Sequence, residues 1–236
     1  LPEPVAIVEW LEAQLCKTSE LEGTTVLVTA GGTQENIDPV RYIGNRSSGK
    51  MGYAIAEQAV RMGANVILVS APTSLSVPSG VEFVPVDSAL SMQEAVESRY
   101  KNVDVVVMAA AVSDFRVLHK AEQKIKKMES MTLELVKNPD ILQGLGSQKE
   151  HQILVGFAAE TEHVIKYGQD KVARKNLDML VANDVSKSNA GFNVDTNEGY
   201  FLYPDKDPKE MANMKKSELA QYIMKEVVEL VANKHP

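Results

Sequence analysis

Short apolar, β-branched runs recur along the chain, with helix-patterned stretches between them. Val26 to Thr29, Asn65 to Ser70, Val81 to Val86, Val103 to Ala109, Ile153 to Ala158 and Met179 to Ala182 predict six strands. The fourth, V-D-V-V-V-M-A-A-A, is apolar almost throughout, as in a parallel sheet whose two faces are both covered by helices. Buried strands are therefore expected for the runs from Asn65 and Val81 as well. Between them, Met51, Ile55, Ala56, Ala59 and Val60 fall at helical spacing over 49–62, and Gly63 follows where a C-terminal cap belongs. Met92 to Tyr100, Thr161 to Lys175 and Lys215 to Asn233 predict three more helices; the last carries Leu219, Ile223, Val227 and Leu230 on one face. Glu198 to Tyr203 reads as a late strand, paired with Ala190 to Val194. Alternation of this kind implies an α/β fold with a doubly wound, mostly parallel sheet. Ligands of such sheets sit beyond the carboxyl ends of the strands, where the strand order reverses.

Two insertions interrupt the alternation. The first runs from Asp38 to Asn45. The second spans Val112 to Asn138, where Lys124-Ile125-Lys126-Lys127 and Leu133-Glu134-Leu135-Val136 read as a lid hairpin turning at Glu129-Ser130. Long irregular segments in compact α/β domains tend to bind or cover ligands. At the other end, Val5 to Leu15 reads as an amphipathic helix. Residues 1–22 are expected to be a helix and linker from an upstream domain, and 23–236 a single domain. The opening Leu1-Pro2-Glu3-Pro4 has no methionine, which suggests a fragment or a processed product.

Composition narrows the chemistry. With 25 basic and 32 acidic residues in 236, the net charge is −7, which argues against a nucleic-acid partner. Cys16 is the single cysteine, so neither an internal disulfide nor a cysteine-based metal centre is available. The four histidines, His119, His151, His163 and His235, show no ligand spacing, and no metal site is expected in the protein itself. There is no apolar run of the roughly 20 residues a membrane span needs, and a cytoplasmic location is expected.

The candidate chemistry gathers after the first strand, in T-A-G-G-T at 29–33 and in Asn45-Arg46-Ser47-Ser48-Gly49-Lys50-Met51-Gly52. Gly31 lets the backbone turn and a ligand approach, and amides at the start of the next helix attract an anion. The loop lacks the glycine spacing of a dinucleotide site. Gly44 to Met51 matches the P-loop pattern except that Met51 replaces the magnesium-binding hydroxyl, and no strand is expected to feed Gly44. What remains is a phosphate-binding turn, or a helix simply capped by Ser48. Further along, Lys124 and Lys126 can fold over phosphates or guard an edge strand, while Lys171 and Lys175 share a helical face that is either a site or solvated. Asp114 follows the small-residue strand exit as ligand or cap. Asn183 ends the sixth strand, and Phe157 is a stacking or core ring. Asn138-Pro139-Asp140 starts a helix, with Asn138 ahead of the proline in the first turn. These residues point to a phosphate-handling α/β enzyme without naming its substrate.

Seven motifs in order carry a more specific resemblance: T-A-G-G-T, D-P-V-R-Y-I-x-N-x-S-S-G-K-M-G, M-A-A-A-V-x-D, K-I-K-K, K-N-P-D-I-L, G-F-A-A-E-T and V-A-N-D. Over about residues 25–230 the chain resembles phosphopantothenoylcysteine synthetases of the bacterial type, a Rossmann-like family. The resemblance implies a ligase in coenzyme A biosynthesis that joins 4'-phosphopantothenate to L-cysteine through an acyl-cytidylate made from CTP. It further implies that Asn45 contacts the acyl intermediate and Lys124 the phosphates, with Gly31, Ser47, Gly49 and Gly52 lining the triphosphate. Phe157, Lys171, Lys175 and Asn183 are implied around the nucleotide, with Asn138, Pro139, Asp140 and Ile141 beside it. Ala110, Ala111 and Asp114 are implied to line the crevice shared with phosphopantothenate. Members form homodimers in which Arg41 reaches the neighbouring subunit's substrate phosphate. Magnesium is expected on the nucleotide phosphates, and a flavin-dependent decarboxylase as the fused or associated first half. Two alternatives are a nicotinamide-dependent oxidoreductase, with the third glycine of the fingerprint missing and no Tyr-x-x-x-Lys pair expected, and a nucleotide-binding module without catalysis.

Overall fold

The computed structural model describes residues 17–160, 162–184 and 196–234. Its strands are β1 (Thr25–Ala30), β2 (Gln34–Asn36), β3 (Tyr42–Gly44), β4 (Asn65–Ser70), β5 (Val81–Pro85), β6 (Val105–Met108), β7 (Phe115–Val117), β8 (Leu135–Lys137), β9 (Ile153–Glu160), β10 (Met179–Asp184), β11 (Thr196–Leu202) and β12 (Lys209–Lys215). The helices are α1 (Lys50–Arg61), α2 (Ala89–Glu97), α3 (Ile141–Ser147), α4 (Val164–Arg174) and α5 (Lys216–Lys234), with a 3₁₀ turn at Tyr100–Asn102. The predicted helix at Val5 to Leu15 and the predicted strand at Ala190 to Val194 lie outside the described residues.

Eight strands form one sheet in the order β12-β11-β10-β9-β6-β1-β4-β5. From β5 to β10 the pairing is parallel, and β11 and β12 close the far edge antiparallel. The chain leaves β1 towards β4 and β5, then crosses back to β6 on the other side of β1. The reversal in strand order therefore lies between β1 and β6, and a cleft is expected beyond Ala30 and Met108.

Side-chain alternation divides the core into two layers. Val26, Val28 and Ala30 of β1 pack with Ile153, Val155, Met179 and Val181 beneath α1 and α5. Leu27 faces the other way with Leu154, Leu180 and Ala182, beneath α2, α3 and α4. Each central strand thus buries both faces, and this is why its sequence shows no polar alternation. The link ahead of β1 joins the first layer. Leu21 is fully buried there, and its N–H donates to the carbonyl of Met62 at the end of α1. Gly63, at φ 87°, follows α1 in the left-handed conformation its position predicts.

Several expectations are corrected. β5 is an edge strand with Phe83 39 % exposed, so it is not buried. α2 starts three residues early because Ser88 and Ser91 form a reciprocal capping box. The cap of α1 is Gly49, at φ 76°, and not Ser48; the cap of α3 is Asp140, whose side chain accepts from the N–H of Gln143, leaving Asn138 outside the helix. β3 does lead into Gly44, but as half of a small antiparallel hairpin with β2, apart from the main sheet. The lid is also built differently. Leu135–Lys137 pairs with Phe115–Val117, and residues 124–127 form no strand, because the arms of the ladder flank the whole loop. β12 has no apolar alternation in K-E-M-A-N-M-K and is held by its pairing to β11.

Candidate functional site

The exits of β1 and β6 are fastened to each other before any ligand is considered. The N–H of Ala111 donates to the carbonyl of Gly31 at 2.8 Å, and that of Thr33 to the carbonyl of Ala111 at 3.2 Å. Thr29 accepts from the N–H of Ala110 at 3.1 Å, and Thr33 accepts from that of Ser113 at 2.9 Å. All three hydroxyl residues, Thr29, Thr33 and Ser113, are buried. The two threonines of T-A-G-G-T are therefore cross-links between loops. Sequence reasoning assigned them no role, although a hydroxyl on a buried strand exit does signal a bond to a neighbouring loop.

Gly31 sits at φ 79°, and a Cβ there would lie 2.6 Å from the carbonyl oxygen of Ala71. Only glycine permits this turn. Gly52 is needed for a different reason, since its absent Cβ would meet Ala30 Cβ at 2.6 Å and the oxygen of Thr29 at 2.8 Å. It brings the first turn of α1 against β1 and so sets where the helix begins. That beginning has no side-chain cap and no acidic residue in its first turn. The positive end of a twelve-residue helix is thus turned towards the β1–β6 exits.

A cavity of about 330 Å³ occupies this position, lined by Asn45, Ser47 and Gly49 ahead of α1, by Ala110, Ala111 and Asp114 beyond β6, and by Phe157 of β9, Lys171 of α4 and Asn183 of β10. Its volume falls in the usual small-molecule range of roughly 300–1,000 Å³. Nine of the residues assigned by resemblance are therefore brought together. Asn45 is anchored across the cleft, its Nδ2 donating to the carbonyl of Val112 at 3.0 Å. Ser47 Oγ accepts from the N–H of Gly49 at 3.3 Å and shapes the turn into α1. Lys171 is ion-paired with Glu160 at the end of β9. The Oδ1 of Asn183 is buried without a hydrogen-bond partner among the described residues. An orphaned buried acceptor is costly, and a ligand's donor would relieve it.

The remaining candidates stand behind or beside the cavity. Asn138 is buried and acts as a brace: its Nδ2 donates to the carbonyl of Ser113 at 2.8 Å, its N–H to that of Asp114 at 2.8 Å, and its Oδ1 accepts from Arg116 at 3.1 Å. It fixes the backbone that carries Asp114. Ile141 is core, and Asp140 pairs with Lys175 at 2.9 Å, joining the start of α3 to the end of α4. Burial works against the Asp140 carboxylate, but the Lys175 ammonium and the Gln143 N–H outweigh it, holding the carboxyl below its ordinary range. Arg41 is engaged within its own subunit, 2.5 Å from Asp38, with its side chain 40 % exposed. Lys124 is exposed on the second insertion and does not line the cavity. Against expectation, a Tyr-x-x-x-Lys spacing of the kind an oxidoreductase would use does occur, at Tyr167 and Lys171. Tyr167 is exposed, packs edge-on against His163 and is not among the lining residues.

Among the described residues no three His, Cys, Asp or Glu side chains cluster as a metal site, and no helix is long and apolar enough to cross a membrane. Fold and cleft together define a doubly wound α/β domain with an anion-attracting site at its topological switch point. The chain belongs to the DNA/pantothenate metabolism flavoprotein C-terminal domain family, whose model matches residues 21–231. It is 47 % identical over 234 residues to the coenzyme A biosynthesis bifunctional protein CoaBC of Bacillus subtilis, covering 98 % of this chain and 58 % of that protein. The protein of the same name in Haemophilus influenzae is 45 % identical over 232 residues, 97 % of this chain and 57 % of the relative. The chain thus spans under three-fifths of the length of these curated relatives. A crystal structure of the C-terminal domain of CoaBC matches with TM-score 0.79 and 42 % identity, over 92 % of this chain and all of that one. A Cab2 mutant in complex with phosphopantothenate-cysteine shares the fold at TM-score 0.69 and 19 % identity, over 99 % of this chain and 96 % of that one.

Proposed function

We propose that this chain is a phosphopantothenate–cysteine ligase of coenzyme A biosynthesis, driven by CTP. The observation that carries the reading is the cavity at the switch point, where the uncapped start of α1, Asn45, Asp114 and Lys171 converge. Membership of the family and the names of its bifunctional relatives support a place in coenzyme A biosynthesis. A carboxylate is a poor acyl donor, so it must first gain a good leaving group. A carboxylate oxygen of 4'-phosphopantothenate attacks the α-phosphorus of CTP, the bond to the β-phosphoryl oxygen breaks, and pyrophosphate departs. The cysteine amine then attacks the acyl carbon and loses a proton as CMP leaves.

The side chains divide the work of that scheme. The first-turn amides of α1 and Lys171 stabilise phosphate charge, and Asn45, held by its bond to Val112, orients the acyl group by hydrogen bonding. A neutral amide suits that place because a carboxylate would repel the acyl-phosphate. Lys124 neutralises charge growing on the departing pyrophosphate once the second insertion closes. A magnesium ion, when bound, would supply neutralisation of phosphate charge. Asp114, the acidic side chain of the lining, is compatible with such an ion, which keeps most of its ligands from phosphate and water.

The assembly we propose is a cytoplasmic homodimer with a fused or associated flavin-dependent decarboxylase domain. The two insertions support the dimer, since they expose Val40, Tyr42, Phe115, Leu118 and Leu135. Arg41 lies on the first of them, as a contact with a neighbour's substrate requires. Pyrophosphate release tests the reading. With CTP and no cysteine, release should depend on 4'-phosphopantothenate and should fall when ATP replaces CTP. Absence of release with either nucleotide from a folded protein would leave the non-catalytic binding module as the better account.

A further inference from the structure

The second insertion holds Lys124 on a long exposed loop. Its base is closed where the N–H of Leu118 donates to the carbonyl of Glu134 at 2.9 Å. Between those residues most side chains are exposed, and Ala121, Ile125 and Leu133 are the half-buried ones. Two of these are tied to the first insertion or to the residue just ahead of it. The N–H of Ala121 donates to the carbonyl of Ile37 at 2.9 Å, and that of Ile125 to Asp38 Oδ2 at 3.1 Å. The carbonyl of Ile125 is held as well, accepting from Arg41 Nη2 at 3.0 Å.

Asp38 is built for this work. Its side chain is fully buried; Oδ1 accepts from the N–H groups of Val40 at 2.8 Å and Arg41 at 2.9 Å, and Oδ2 from Arg41 Nε at 3.0 Å and Nη2 at 2.5 Å. The Arg41 hydrogen bond outweighs burial and, with the backbone donors, holds the carboxyl far below its ordinary range. A single carboxylate therefore folds the first insertion into a tight turn and presents it to the second. The N–H it grips belongs to the peptide bond that joins Lys124 to Ile125. Fixing that peptide limits where the Lys124 side chain can start, without restricting its reach.

We propose that Asp38, through Arg41, is the positioning residue for Lys124, clamping the peptide at Ile125 so that the lysine is delivered over the cleft. This rests on the ligase reading for what Lys124 does, but not for the clamp itself. It also gives Arg41 a role within its own subunit, additional to any contact with a neighbour. Misplacing a catalytic group by about 1 Å is enough to reduce a rate on the order of a hundredfold.

The experiment uses the whole chain and two readouts. Asp38→Asn keeps shape and burial but weakens the grip on Arg41 and on the Ile125 N–H. Trypsin should then cut after Lys124 and Lys126 about tenfold faster, while cleavage elsewhere keeps its rate, because opening of a local segment exposes it to protease. Unchanged cleavage would overturn the clamp, whatever the activity. If Asp38→Asn does not fold, Arg41→Gln is read by the same cleavage with the same two outcomes. The second readout is pyrophosphate release without cysteine. Asp38→Asn should slow it about tenfold or more in the unaltered chain and less than about twofold in a Lys124→Gln background, as expected of residues acting as one unit. Equal losses in both backgrounds would overturn the positioning role. Absence of pyrophosphate from the unaltered chain would instead sink the ligase reading, and cleavage alone would decide the clamp.

Discussion

The two sides of the cleft are built in opposite ways. The wall formed by the exits of β1 and β6 is buried, and its loops are cross-linked by Thr29, Thr33 and Ser113, with Asn138 bracing it from behind. The second insertion is largely exposed, and the contacts that tie it down fall at Ala121 and Ile125. The start of α1, which we propose holds phosphate, is set against the first by Gly52. Lys124, which we propose acts as pyrophosphate leaves, sits on the second. The difference fits an enzyme whose binding surface is pre-organised and whose covering cation is delivered by a tether.

If the wall is as rigid as its contacts imply, overpacking it should have the largest effect. Gly52→Val places methyl groups against Ala30 and the oxygen of Thr29, and should lower stability by about 3 kcal/mol, read by urea unfolding. A Gly52→Val protein of unchanged stability would show that α1 can move off the sheet, and the contrast between the two sides would collapse. Asn45→Asp should leave pyrophosphate release largely intact and slow amide formation about a hundredfold, measured as CMP release after cysteine is added. Normal CMP release would remove Asn45 from the acyl group. Lys171→Gln should weaken CTP binding about tenfold by calorimetry, and an unchanged affinity would confine Lys171 to its pair with Glu160.

Smaller effects sharpen the comparison. The Asp140 carboxyl is lowered on folding from an ordinary value near 3.8, so its contribution is present above that pH and is lost as pH falls through the lowered native value. Lys175→Gln should therefore be less stable at pH 6, by about 0.5 kcal/mol once solvent screening is allowed for, and equal to the unaltered chain in stronger acid. A difference that persists at low pH would mean that packing, not charge, is what Lys175 provides. Smallest of all, Lys124→Gln should shift stability by no more than about 0.5 kcal/mol, since the residue is exposed, whatever it does to turnover.

Legibility in the sequence follows the same division. The parallel core was readable because β1, β6, β9 and β10 bury both faces and so show unbroken apolar runs. The cavity lining was readable because ordered motifs fall at strand exits and at the start of α1. What escaped was structure held by partners distant in the chain. β7 and β8 pair across an intervening loop, so the lysine-rich stretch nearest Leu133 looked like the natural partner. β12 has only its neighbour β11 to mark it as a strand. Thr33 and Ser113, 80 residues apart, give no local sign that they meet. Asp38 marked only the start of the first insertion for the same reason, since its bond to Ile125 crosses 87 positions.

The central claim is that this cleft activates a carboxylate by nucleotidyl transfer. Its most direct test is mass spectrometry of the protein incubated with CTP, magnesium and 4'-phosphopantothenate, with cysteine withheld. The account predicts a bound acyl-cytidylate, carrying the mass of the acid plus CMP less one water, together with free pyrophosphate. Formation of CDP and an acyl phosphate would contradict it, because attack would then fall on the γ-phosphorus and the cleft would be working as a kinase.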